Sequence, residues 1–273
     1  MSQPPRIAPA ITAGWPDLVD ELDRWQQAGR VATLWWRDDD AIAPSVRLDR
    51  LMLIAGNVPI ALAVIPALAG RDLATWVSRR PRPMPGANLA VLQHGWRHLS
   101  RSAGGKKTEF PAERPRNRVA SDLAAGRARL ASLFGGRALP VLVPPWNRFD
   151  DSLLSLFQGC GLFAISRMKP RSAFRPAPGI IEVNVHVDLV AWAGGRGFIG
   201  EERALGLLVE HLRARRLGVV CADEPTGILT HHLVQDDATE AFLDRLVAVT
   251  SAGAGTRWLD AKEAFAAAMV VPT

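Results

Sequence analysis

Two cysteines in 273 residues are too few, and Cys160 and Cys221 too far apart, to build a disulfide framework or a cysteine-ligated zinc site. Both sit in apolar surroundings and are expected to be buried thiols. Lysine is nearly as scarce, occurring only at Lys106, Lys107, Lys169 and Lys262. The formal charge of +6 therefore rests on arginines, which are scattered along the chain. A nucleic-acid surface gathers its basic residues on one element, so no nucleic-acid partner is expected. No apolar run reaches the roughly eighteen residues that a membrane span needs, and no span is expected. Residues 1–14 lack a basic start followed by a long apolar core, so they read as a flexible or loosely packed segment, not a secretory signal. The expected location is the cytoplasm. Neither an internal repeat nor a linker divides the chain, and residues 1–273 are expected to form a single domain.

What is present is an alternation. Helical spacing covers 16–28, with Leu18, Leu22 and Trp25 on one face and Gly29 as the stop. An apolar strand follows at 31–36. Ser45 is suited to cap a helix ending at Ala55, and 59–65 is an almost wholly apolar strand of the kind buried in parallel sheets. The same rhythm continues with a short helix at 72–78, a strand at 88–92, a helix at 117–134 and a strand at 139–143. Beyond these come a short helix at 150–158, strands at 162–165 and 180–187, and a helix at 201–215. Strands at 217–221 and 227–230, a helix at 238–249, a strand at 257–259 and a helix at 261–269 complete the pattern. Residues 99–115 form a long aperiodic loop. Strand–helix alternation of this kind predicts parallel strands covered by helices, an α/β fold.

The polar residues that break this pattern fall at strand ends. Trp36-Arg37-Asp38-Asp39-Asp40 puts three adjacent carboxylates at the end of an apolar run, where mutual repulsion disfavours them unless a cation or hydrogen-bond network compensates. His94 and His98 follow another apolar run, and a carboxylate with two imidazoles is an inventory for binding a metal ion. Trp146, Asp188 and His231 also follow strands. In α/β barrels the carboxyl ends of the strands build one active face, so five distant stretches are expected to converge.

Together these stretches resemble the polysaccharide deacetylase (NodB-homology) family, carbohydrate esterase family 4. Its five ordered motifs are a Thr-Phe-Asp-Asp-Gly strand end, a His-(Ser/Thr)-x-x-His pair, an Arg-x-Pro-Tyr/Trp turn, an Asp followed four residues on by Trp, and a Leu-x-His. Here the matching stretches are Trp36 to Asp40, His94-Gly95-Trp96-Arg97-His98, Val143-Pro144-Pro145-Trp146, Asp188 to Trp192 and Leu229-Thr230-His231. The match spans residues 35 to 232. The resemblance implies a distorted (β/α) barrel of about seven strands that hydrolyses N-acyl groups, with an N-acetylated sugar or a small acylated amine as substrate. It implies one divalent metal ion, most readily zinc, with cobalt, manganese or iron as alternatives, held by Asp39, His94 and His98. Asp38 would be the general base and His231 the acid, tuned by Asp188. The backbone N–H of Trp146 would meet the oxyanion, Trp192 would form part of the pocket wall, and Pro145 and Leu229 would belong to the substrate-facing motifs.

The sequence departs from the family at two places. Arg37 stands where the first motif has phenylalanine and Asp40 where it has glycine, which leaves two registers for the acidic pair. Asp38 and Asp39 are the preferred assignment, and Asp39 and Asp40 the alternative. The third-motif arginine, which in the family supports the base, is Val143 here, and Arg37 or Arg148 is expected to replace it within reach of Asp38. Of His231 and His232 only one should face the site, because neighbouring strand residues point opposite ways. His186 shares a strand face with Asp188 and is read as a structural histidine that could line the pocket, His211 as exposed. Lys106, Lys107 and Glu109 are read either as contacts to an anionic or sugar substrate or as a solvated charge cluster. A rival function is a regulatory or carbohydrate-binding homologue that keeps the metal but not the reaction.

Overall fold

The strand that carries the acidic triplet is the longest among the described residues, and the fold is built outward from it. The protein is described by a computed structural model covering residues 11–79, 89–193, 195–253 and 255–269. Residues 1–10 of the N-terminal segment and Asn88, the expected first residue of a strand, lie outside the described residues. In chain order the elements are α1 (Trp15–Gln27), β1 (Ala32–Ala41), α2 (Val46–Ala55), β2 (Ala61–Val64), α3 (Arg71–Arg79), β3 (Ala90–His94), α4 (Arg116–Phe134) and β4 (Ala138–Val143). After three short 3-10 turns follow β5 (Ala164–Ile165), β6 (Ile181–Glu182), β7 (Val187–Asp188), α5 (Glu201–Arg216), β8 (Thr226–Thr230), α6 (Asp237–Ser251), β9 (Thr256–Trp258), α7 (Ala261–Ala264) and α8 (Ala266–Met269). No helix among the described residues is long and apolar enough to cross a membrane.

All paired strands are parallel, in the order β6-β5-β4-β3-β2-β1-β8-β7, with β9 beside the first residues of β1. Helices cover the outside, and the sheet curls into a distorted barrel. The single strand expected at 180–187 appears as two strands because it changes partners. Its first half pairs with β5 and its second half with β8. Between them Val185 donates its N–H to Arg167 and His186 to Gly227. One extended segment thus closes the ring from both edges, and β1, β2, β3, β4, β5, β6 with β7, and β8 make seven staves. Gly227 is glycine because a Cβ there would lie 2.5 Å from Trp35 Nε1 and 2.6 Å from Val185 Cα.

Strand alternation divides the core. Leu34 and Trp36 face outward with Leu62, Val91 and Ile228 into the layer shared with the helices. Trp35 faces inward with Ala63, Leu92, Val143, Val185 and Leu229, and Phe265 and Ala268 from α7 and its neighbour fill the same interior. The strand expected at 217–221 is instead the turn that ends α5. Gly218 has φ 72°, and Leu217 and Val219 are exposed, so an apolar run there reflects a helix terminus and not a buried stave.

Candidate metal and hydrolytic site

Period-two alternation along β1 decides which aspartate can reach the cleft. Trp35 points inward, so Arg37 and Asp39 do as well, while Asp38 points outward with Trp36. Asp38 is fully buried on that outer side, where it accepts hydrogen bonds from Thr230 Oγ1 (2.7 Å), the His232 N–H (3.0 Å) and His232 Nδ1 (2.5 Å). Trp36 Nε1 donates in turn to Thr230 Oγ1. His232 is held above the usual histidine range, the nearby Asp38 carboxylate outweighing the cost of burial. Asp38 therefore belongs to a closed polar cluster behind the strand, not to the cleft, and the expected placement of the base at Asp38 does not hold. His231 and His232 do face opposite ways, as their spacing predicts.

Asp39 is gripped by Arg37 on both oxygens, Nε to Oδ1 at 2.8 Å and Nη2 to Oδ2 at 3.0 Å. Arg37, itself fully buried, also donates to Ser166 Oγ, to the Ser166 carbonyl and to Asn147 Oδ1. The contact expected between Arg37 or Arg148 and Asp38 does not form: Arg37 holds Asp39, two residues on along the same strand face. Arg148 does not take part: it donates to the Lys107 carbonyl and belongs to the loop.

A second inward carboxylate directly after Asp39 would break the alternation, and the backbone breaks there. Pairing between β1 and β2 shifts register between Asp38 and Ala41, and Asp40 has φ 72°. This bulge brings Asp40 Oδ1 to 3.2 Å from His94 Nε2 and 3.4 Å from His98 Nε2. Asp40, His94 and His98 are accordingly the set that could share an ion. Asp39 is not in that set, so the ligand expected at Asp39 moves one place on, to the alternative register. His94 Nδ1 lies 3.0 Å from the Val143 carbonyl, which can only accept. Nδ1 therefore carries the proton and Nε2 offers a lone pair toward Asp40. Asp40 Oδ1 is buried with no hydrogen-bond donor of its own. A carboxylate oxygen and two imidazole nitrogens that converge with no hydrogen bond between them fit a cation.

The electrostatics agree with the geometry. Burial would raise the Asp40 carboxyl, but the adjacent His94 imidazole, and after it His231 and His98, hold it well below the usual carboxylate range. His94 is displaced upward: burial opposes its charge, and Asp39 and Asp40 more than compensate. His98 is lowered, chiefly by burial and then by His94.

Opposite this set stand the residues of the later strands. Trp192, half exposed, sets its ring edge-on to His231 at 4.8 Å and donates Nε1–H to Asp188 Oδ2 at 2.7 Å. Asp188 Oδ1 accepts from the Val190 N–H. Burial raises the Asp188 carboxyl, and the charge of His231 opposes that rise. His231 Nδ1 is buried without a hydrogen-bond partner. Trp146 adopts φ 57° in the Pro145–Asn147 turn and lies 4.4 Å from the His98 ring. Pro145 is buried under the turn, 2.7 Å from where a Cβ on Gly95 would stand. Leu229 does not reach the cleft. It is fully buried in the barrel interior, since inward residues in mid-stave meet the core and only those at the stave's end meet solvent.

A second grouping, His186, His211 and Glu224, lies at the opposite ends of the staves. His211, expected to be exposed, is buried and stacks on His186 at 3.5 Å. The N–H of Gly227 donates to His186 Nδ1, so the neutral ring carries its proton on Nε2, the atom nearest Glu224 at 3.6 Å. A protonated nitrogen cannot ligate, and this cluster reads as a structural polar core. His186 accordingly does not line the pocket. Asn147, Ser166 and Gln93 escaped the sequence reading, because amides and hydroxyls at strand ends carry no spacing signal of their own.

No family model matches the sequence, and no curated protein does. Solved structures do. A candidate polysaccharide deacetylase from Mycobacterium smegmatis superposes with a TM-score of 0.58 at 17% identity, over 94% of this chain and 93% of that one. The chain has the polysaccharide deacetylase fold. A family 4 acetyl xylan esterase from Clostridium thermocellum, in complex with a cobalt ion, gives a TM-score of 0.52 at 16% identity over 86% and 90% of the two chains. A family 4 carbohydrate esterase from Streptomyces lividans, in complex with acetate, gives 0.51 at 17% over 82% and 90%. In this deacetylase fold Asp40, His94, His98, Asp188 and His231 all fall at the carboxyl ends of the staves.

Proposed function

We propose that the protein is a metal-dependent hydrolase that removes an N-acetyl or related N-acyl group from an acetylated amino sugar or similar small acylated amine. The observation that carries this reading is the buried, donorless Asp40 Oδ1 facing two imidazole Nε2 atoms. Asp40, His94 and His98 would hold the ion, and an Asp-His-His set suits zinc, cobalt, manganese or iron. When bound, such an ion polarises an acyl oxygen and makes water a stronger acid.

The remaining roles belong to the chain. Asp39 is the general base: each of its oxygens keeps a lone pair beyond the one engaged by Arg37, and the bidentate grip fixes its direction. It takes the proton of the water whose oxygen attacks the acyl carbon. The backbone of Trp146, held in the left-handed conformation, is assigned to the oxyanion that develops. His231 gives a proton to the amine nitrogen as the carbon–nitrogen bond breaks. Trp146 and Trp192 wall the cleft.

The test is acetate release from a panel of N-acetylated sugars and O-acetylated controls, with protein loaded with zinc, cobalt or manganese. Equal amounts of acetate and free amine are expected. A protein that carries the ion and releases neither from any substrate would favour a sugar-binding homologue instead.

A further inference from the structure

His94 and His98 are four apart, a spacing that would place them on one side of a helical turn, but residues 95–98 are not helical. Gly95 has φ 59° and His98 φ 56°, so the segment is a tight irregular turn with no helical ladder to hold it. Something else must fix the angle between the two rings, whose centroids lie 5.0 Å apart.

That support comes from outside the turn. Glu109, on the long loop after the histidine pair, is almost wholly buried, at 1% exposure. Its Oε2 accepts the Trp96 N–H at 3.2 Å and its Oε1 the Arg97 N–H at 2.9 Å. No lysine or arginine side chain pairs with its carboxylate among the described residues, since Arg114 donates only to its backbone carbonyl. The other polar groups of the turn are also engaged. Gly95 N–H donates to the Val143 carbonyl and the Trp96 carbonyl accepts from Ala67, while the Gly95 carbonyl accepts from the buried Gln93 Nε2. Glu109 reaches the turn because residue 95 has no side chain: a Cβ there would lie 2.1 Å from Oε2. The loop is anchored on its far side by Phe110, fully buried and bridged to Phe149.

We infer that Glu109 is a positioning residue for the metal site, its carboxylate replacing a helix as the template that sets His94 and His98 at the angle needed to share an ion with Asp40. This corrects both expectations for Glu109, a substrate contact and a solvated charge, and it rests on the assignment of these three residues as ligands. An unpaired buried carboxylate costs stability, and orienting the ligands is the return. Outer partners of metal ligands typically govern affinity by about 10–100-fold.

The test is titration of the full, metal-free chain with cobalt(II), followed by visible absorption, and with zinc by competition. The chains compared are unsubstituted, E109Q, E109A and H94A, each with a melting temperature in the absence of metal. H94A should lose the ion outright, and if it does not, the ligand assignment itself fails. E109Q keeps the shape but sets an amide N–H against a backbone N–H. It should bind cobalt and zinc about 10-fold or more weakly, with an altered cobalt spectrum and a metal-free melting temperature close to that of the unsubstituted chain. E109A should weaken binding further. Activity at saturating metal should recover to within a few-fold, so that the defect appears in the metal dependence and not in kcat. If H94A loses the ion while E109Q binds it with unchanged affinity and spectrum, the inference about Glu109 is overturned and the metal site stands. The inference is likewise overturned if affinity falls only in proportion to loss of the folded state.

Discussion

Asp38, Asp39 and Asp40 are chemically identical and adjacent, yet each has its own environment: Asp38 a histidine behind the sheet, Asp39 an arginine in the barrel mouth, Asp40 two imidazole lone pairs. Their substitutions should therefore separate. D39N removes the proposed base without touching the ligands, so turnover should fall by about 100-fold or more while metal content stays at one ion. R37K keeps the charge but loses the fork, and kcat should fall with the ion still bound. D38N should leave metal affinity and the pH profile of turnover nearly unchanged. It should lower stability by about 1–3 kcal/mol, as expected for weakening hydrogen bonds to a buried charged group. Comparing denaturant midpoints with cobalt affinities for the three variants checks the division. If D38N abolished turnover while D39N spared it, the roles would be reversed.

The strand β1 was legible as the apolar run Leu34-Trp35-Trp36, but its faces were not, because it is buried on both sides. The structure puts Arg37 and Asp39 on one face and Asp38 on the other, whereas the register preferred from the sequence has Asp38 and Asp39 share the site. What the alternation could not reveal is the bulge that returns Asp40 to the cleft. A register shift and a positive φ at a non-glycine residue are products of pairing with β2 and leave no compositional trace. The proposed ligands His94 and His98 stood out through their spacing, but the way their turn is held did not, because it uses Glu109 and Gln93 and not a helical pattern.

At the scale of elements, the barrel closes through the segment 181–188, which passes from β5 to β8. Its place as one stave was evident from its alternation, and its division into two pairings was not, because alternation reports faces and not partners. The closure depends on Gly227, where added volume would meet Trp35 Nε1 and the backbone of Asn184 and Val185. G227A should lower stability by about 1–3 kcal/mol and reduce protection of the Asp188 and Leu189 amides in hydrogen exchange. The neighbouring His231 would lose its setting, so kcat should fall as well. An unchanged melting temperature would show that the close approach is not limiting. The strand misread at 217–221 has the opposite cause: an apolar run that ends a helix and faces solvent looks like a short stave when burial is unknown.

For the whole molecule, the two ends of the barrel have different pH responses. At the end away from the cleft, burial lowers His186, and it pushes His211 down to about 2 with help from His186 and Arg215. In the unfolded chain both titrate near their ordinary value of about 6.5. Between that value and the folded one, the unfolded state binds more protons, so this contribution is complete above pH 6.5 and lost on acidification. For His211 the slope approaches roughly 1.4 kcal/mol per pH unit. Unfolding midpoints measured from pH 7 to pH 4.5 should fall more steeply for the unsubstituted chain than for H211Q. Parallel curves would show that His211 is already charged in the folded protein. The architecture as a whole was legible because parallel staves and covering helices impose a rhythm of apolar runs, and because chemistry placed at stave ends is shared by the whole fold. The particular assignment of an ion to one aspartate of three is a local matter.

That assignment is tested most directly by counting bound metal in D39N and D40N, purified side by side, reloaded with zinc and dialysed. The account predicts about one zinc per chain in D39N and in the unsubstituted protein, and none in D40N. Zinc retained by D40N and lost from D39N would contradict it.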